Sequence, residues 1–77
     1  MIRYGITYKA KDSLRTLFSA RHLKATPEEA QATLDDFLRE SADRMVQVCG
    51  EQSRGTFRVD PIDCWDHGDP KGIYVDD

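Results

Sequence analysis

No apolar run in this chain approaches the roughly 20 residues that a membrane-spanning helix needs. The first residues, Met-Ile-Arg-Tyr-Gly, lack the apolar core of a secretion signal. The expected setting is the cytoplasm, where Cys49 and Cys64 stay reduced. These cysteines are too far apart in sequence for the paired spacing of a structural zinc site. Cys64 and His67 are close, but His22 is remote, so no metal or cofactor is expected. Glycine is sparse, and Gly50 and Gly55 match neither nucleotide-binding fingerprint. Cys64 and His67 could be drawn as a nucleophile and base. Asp63 and Asp66 beside the thiol make a poor setting for a reactive thiolate. No catalytic motif stands out, and a non-enzymatic protein is expected. The chain also lacks repeats, linkers and low-complexity tracts.

What is present suits a single folded domain over residues 1–77. Charged residues make up 32 % of the chain and hydrophobic ones 39 %, too apolar a balance for a disordered polymer. A chain of 77 residues builds only one modest core. Homodimerisation, or docking on a larger partner, is a common remedy.

The stretch Thr26 to Arg44 carries the clearest signal. Thr26 suits an N-cap, Pro27 the first helical position, and Glu29 the third position of a capping box. Glu28 and Glu29 place negative charge at the positive end of the helix dipole. Ala30, Leu34, Phe37, Leu38, Ala42 and Met45 form one helical stripe, which needs a surface to cover. The opposite face is acidic, unlike a membrane-binding helix, so no membrane partner is expected.

Strands are expected on both sides of this helix. Ile2, Tyr4, Ile6 and Tyr8 alternate with Arg3, Gly5, Thr7 and Lys9, the pattern of a half-buried strand. Residues 14–25 suit either of two structures. A strand over Thr16 to His22 is favoured, returning as a hairpin; a helix with Leu14, Leu17, Phe18 and Arg21 on one face is the alternative. Met45 to Cys49 and Thr56 to Asp60 read as two further short strands, the second stopped by Pro61. The tail, 62–77, is turn-rich and acidic, with Trp65, Ile73, Tyr74 and Val75 expected to tie it down. The expected fold is α+β: an antiparallel sheet of about four strands in the order ββαββ, with one helix on one face. Tyr4, Ile6, Tyr8, Leu34, Phe37, Leu38, Val46, Val48, Phe57 and Val59 are the expected core.

Charge is unevenly spread. Residues 1–25 hold six cations and one acid, whereas residues 26–50 hold two cations and six acids. Residues 51–77 hold three cations against Glu51 and six aspartates, and the total is −3. Such asymmetry either marks a charged partner or lets the two ends attract each other. Asp60, Asp63, Asp66 and Asp69 recur at every third residue, and Asp76 and Asp77 follow. They form either an acidic strip that meets a basic groove or a set of turn formers; a calcium loop is the least favoured reading, since Asp63, Asp66 and Asp69 lack the EF-hand spacing and its closing Glu. On the first reading Asp63, Asp66 and Asp69 contact a partner, with Asp35, Asp36 and Glu40 of the helix as a second patch. The alternative is nucleic-acid binding through Arg3, Lys9, Lys11, Arg15 and Arg21 of the N-terminal hairpin. The overall acidity makes direct nucleic-acid binding the weaker of the two.

The order strand, strand, Thr-Pro-Glu-Glu-Ala helix, strand, strand resembles the very small ββαββ proteins of phages and other mobile elements, some of which are anti-CRISPR proteins. The resemblance covers residues 1–60 or so and rests on size, element order and acidity. It implies a non-enzymatic inhibitor that sits on a Cas protein or complex and blocks access of DNA to a basic groove. It assigns no individual residue. One consequence of the helix start is testable: Thr26→Ala should cost about 1 kcal/mol in denaturant unfolding.

Overall fold

The computed structural model describes residues 1–12 and 14–71. It is an α+β fold, a three-stranded antiparallel sheet with one helix packed on it. β1 (Ile2–Lys9) is central, flanked by β2 (Arg15–Leu17) and β3 (Arg58–Asp63). Between β2 and β3 runs α1 (Pro27–Cys49).

The helix starts where its cap dictates. Thr26 Oγ1 accepts from the Glu29 N–H at 3.2 Å, and its hydroxyl donates to Glu29 Oε1 at 3.1 Å. Its end is a correction. Met45 to Cys49 is not a strand but the last turns of α1, so the sheet has three strands instead of four. The backbone leaves helical geometry at Ser41 (φ −143°, ψ 24°) and resumes beyond it. Past that break Met45 and Val46 are both buried, which adjacent residues of a strand cannot be on one face. Gly50 closes the helix at φ +98°, its N–H donating to the Val46 carbonyl at 2.7 Å. Val48 and Leu38, expected in the core, are instead exposed.

The segment after the first strand forms only part of the strand expected over Thr16 to His22, and the helical alternative does not form, since Leu17 and Phe18 pack on opposite faces of the sheet. β2 forms the hairpin, pairing Lys9 with Arg15 and Thr7 with Leu17. The chain then leaves the edge in a one-turn 3₁₀ helix, Ala20–His22, capped by Ser19. It returns to the same edge at Lys24, which exchanges two backbone hydrogen bonds of 2.8 Å with Tyr4.

That exchange explains why Pro61 sits inside β3 instead of ending it. Pro61 stands opposite Tyr4, whose N–H and C=O are already committed to Lys24 on the other side. The Tyr4–Pro61 pair therefore makes no ladder bonds, and the proline nitrogen faces away from β1.

β1 is covered on both faces, more than the half-burial its pattern predicts. On one face Ile6 meets Leu34 and Met45 of α1, with Phe18, Phe37, Phe57 and Val59 around them. On the other, Leu17, Ile62 and Cys64 cluster with Ala20 and Leu23 of the excursion. Gly5 makes the second cluster possible. A Cβ there would lie 2.7 Å from Leu17 Cδ1 and 2.9 Å from Leu23 Cδ2. Among the described residues no helix is long and apolar enough to cross a membrane. Gly5→Ala should overpack this cluster and cost about 1–3 kcal/mol, read as a lowered midpoint in denaturant unfolding.

Candidate functional site

The aspartates that recur at every third residue divide between inside and outside. Asp60 turns inward. Its Oδ2 accepts from Thr7 Oγ1 at 2.6 Å and from Arg15 Nε at 3.2 Å, and Arg58 Nε lies 3.0 Å away. Arg15 is spent in the same knot, its Nη2 donating to the carbonyls of Thr7 at 3.1 Å and Thr56 at 2.9 Å. Burial opposes ionisation of Asp60. The Thr7 and Arg58 hydrogen bonds, with the charges of Arg58 and Arg15, still hold its carboxyl below the ordinary value.

Asp63, Asp66 and Asp69 remain outside, around a tight loop that leaves β3. The loop is closed by backbone bonds: Trp65 N–H to Asp69 O at 2.8 Å, Gly68 N–H to Trp65 O at 2.8 Å, and Lys71 N–H to Asp63 O at 2.9 Å. Gly68 takes φ +97°, which few other residues tolerate. Lys71 folds back over this loop. Its ammonium lies 4.7 Å from the centroid of the Trp65 ring and 3.8 Å from Asp63 Oδ2. Asp69 Oδ2 is 3.1 Å from His67 Nε2. Trp65, expected to pack the tail down, leaves 51 % of its surface exposed. Ile73, Tyr74, Val75, Asp76 and Asp77 lie outside the described residues.

The second acidic group, Asp35, Asp36 and Glu40, is exposed on α1. Asp35 accepts from Gln31 at 2.9 Å, and Asp36 pairs with Arg39. The helix acids and the loop aspartates thus belong to separate elements.

The basic residues of the N-terminal hairpin do not converge. Arg15 is held by Asp60, and Arg3 and Lys9 stand at opposite ends of β1, roughly 20 Å apart at the rise of a strand. Lys11 occupies the β1–β2 turn and Arg21 the 3₁₀ turn, both exposed.

Cys64 is buried in the second cluster, its thiol 3.4 Å from the Ile62 carbonyl. His67 is exposed on the loop and Cys49 ends the helix. Among the described residues no three His, Cys, Asp or Glu side chains are grouped to hold a metal ion.

Two features were missed by sequence reasoning. One is the exposed Trp65 ring amid the aspartates, whose signal was its place inside the acidic row. The other is a cleft of about 310 Å³ beside the helix break. Phe18, Phe37, Met45 and Val48 wall it, and His22, Ser41 and Arg44 edge it. The steps Phe37, Ser41, Arg44, Val48 follow one helical face, a signal hidden while Met45 to Cys49 reads as a strand.

No protein-family model, curated protein or solved structure matches this chain.

The knot around Asp60 predicts an acid-labile contribution to stability. A carboxyl whose folded value lies below its unfolded one stabilises above the unfolded value, about 4, and loses that effect as pH falls through the folded value. Asp60→Asn should cost about 1–2 kcal/mol at neutral pH and shrink toward no difference in strong acid. Urea unfolding of both forms across this pH range checks it.

Proposed function

We propose that the chain is a non-enzymatic protein-binding module whose Asp63–Asp69 loop recognises basic side chains of a partner. One observation carries this reading: the loop already holds an ammonium. Lys71 Nζ lies over the Trp65 ring and beside the Asp63 carboxylate, the arrangement a partner's lysine or arginine would take by displacing it. A half-exposed tryptophan in a loop held by backbone bonds is the kind of anchor that concentrates binding energy. Carboxylates around it add steering and salt sensitivity. Asp35, Asp36 and Glu40 serve as a second patch on the helix.

The finer reading is an inhibitor of the mobile-element, anti-CRISPR type, acting in the cytoplasm on the basic nucleic-acid groove of a Cas protein or complex. It is supported by the resemblance in size and acidity; the element order ββαββ, on which the resemblance also rested, lacks its first strand after the helix. Nucleic-acid binding through the N-terminal hairpin is less well supported, because Arg15 is committed to Asp60.

Isothermal titration of the full chain with a Lys/Arg-rich peptide at two salt concentrations tests the proposal. Binding should weaken with salt. Trp65→Ala, and the triple change Asp63→Asn, Asp66→Asn and Asp69→Asn, should each weaken it about tenfold or more. Absence of binding at low salt, or affinity untouched by the triple change, would sink the reading.

A further inference from the structure

The cleft beside the break in α1 differs in chemistry from the rest of this acidic surface. Its walls are two phenylalanines, a methionine and a valine, and no acid lines it. Phe37 and His22 meet edge to face at 4.9 Å, and Phe37 and Phe18 at 5.8 Å, so the aromatic floor is set by mutual packing. At its edge the Arg44 side chain makes no ion pair or hydrogen bond among the described residues. Arg39, Arg54 and Arg58 by contrast all find carboxylates, which leaves the Arg44 guanidinium available to a ligand. Ser41 lines the same cleft, and its hydroxyl has no hydrogen-bond partner among the described residues. The charges of Arg21 and Lys24 act on His22 at the cleft's edge. Burial, then the charges of Lys24 and Arg21, hold the His22 imidazole below its ordinary value.

We propose that this cleft binds a small aromatic carboxylate, with the ring seated among Phe18, Phe37 and Met45 and the carboxylate on Arg44. The volume of about 310 Å³ lies at the small end of ligand sites, suited to one ring and not to a large cofactor. The ring supplies the apolar surface that the walls can cover. A guanidinium presents parallel N–H donors that match a carboxylate in two-point contact. Ser41 supplies a further donor where the helix leaves its regular path. A cationic ligand would meet Arg44 with like charge, and an uncharged one would leave the guanidinium unmatched. This inference stands on residues that the loop around Trp65 does not include, so the two readings fail separately.

The test is titration of the ¹⁵N-labelled full chain with phenylacetate, phenylacetamide and acetate, followed by amide shifts. Phenylacetate should move the signals of Phe18, His22, Phe37 and Ser41. It should bind about tenfold more tightly than phenylacetamide, and acetate should leave these signals unmoved. Arg44→Gln, a change at an exposed helix position, should abolish the preference for the acid over the amide. Three results would overturn the assignment. One is absence of shifts at roughly 10 mM phenylacetate. Another is equal affinity for acid and amide. The third is a concentration-dependent dimer in sedimentation with the cleft signals at its interface, which would seat a second copy there instead.

Discussion

Everything in this small fold depends on burying both faces of one strand. Gly5, Ile6, Thr7 and Tyr8 of β1 are all inaccessible to solvent, which a single helix on a three-stranded sheet could not achieve. The helix covers the face carrying Ile6 and Tyr8. The opposite face is closed by a device of a different kind. After β2 the chain swings over the sheet in a 3₁₀ turn, lays Leu23 against the bare Cα of Gly5, and rejoins the edge at Lys24. A chain of this length thereby gains a second apolar cluster without a second long element.

Burial on that face creates a polar problem at Thr7, and its solution shapes the surface charge. Thr7 is fully buried, and its hydroxyl must find a partner. It donates to Asp60, and Asp60 in turn draws in Arg15 and Arg58. One acid of the row and one cation of the hairpin are thereby withdrawn from any external partner. The remaining aspartates follow β3 into a loop whose backbone bonds are internal, so their side chains are free to face outward. Among the described residues, the ion pairing between the basic first third and the acidic last third is local to this knot and leaves an anionic loop exposed.

The break at Ser41 has a comparable reach. An unbroken helix of 23 residues would carry its second half in line with the first. The break lets Met45 settle on the sheet beside Ile6 while Phe37 leans against Phe18 and His22. The space left between these two packings is the cleft that Arg44 overlooks. A groove thus arises from how two half-helices meet the same sheet, close to the 3₁₀ turn that seals its other side.

How much of this was legible beforehand divides along the range of the forces involved. Thr26, Pro27 and Glu29 determined the start of the helix, because a cap is satisfied within four residues of itself. The alternation from Ile2 to Tyr8 determined β1 and which side would carry the large side chains, because the pleat has a fixed period of two. Only the tertiary structure decided that Met45 to Cys49 continues the helix, since Met-Val-Gln-Val has the composition of a strand and the sheet already had its three. It alone decided that Asp60 turns inward while Asp63, Asp66 and Asp69 do not. That choice depends on pairing Gly5 with Asp60 and Thr7 with Arg58 across more than fifty residues of chain. It also left Trp65 in solvent, although its bulk suggests a core residue. Local patterns are written by neighbours a turn or a pleat away. Register, burial partners and the two faces of β1 are set by contacts between distant segments, and no short stretch of sequence contains both sides of such a contact.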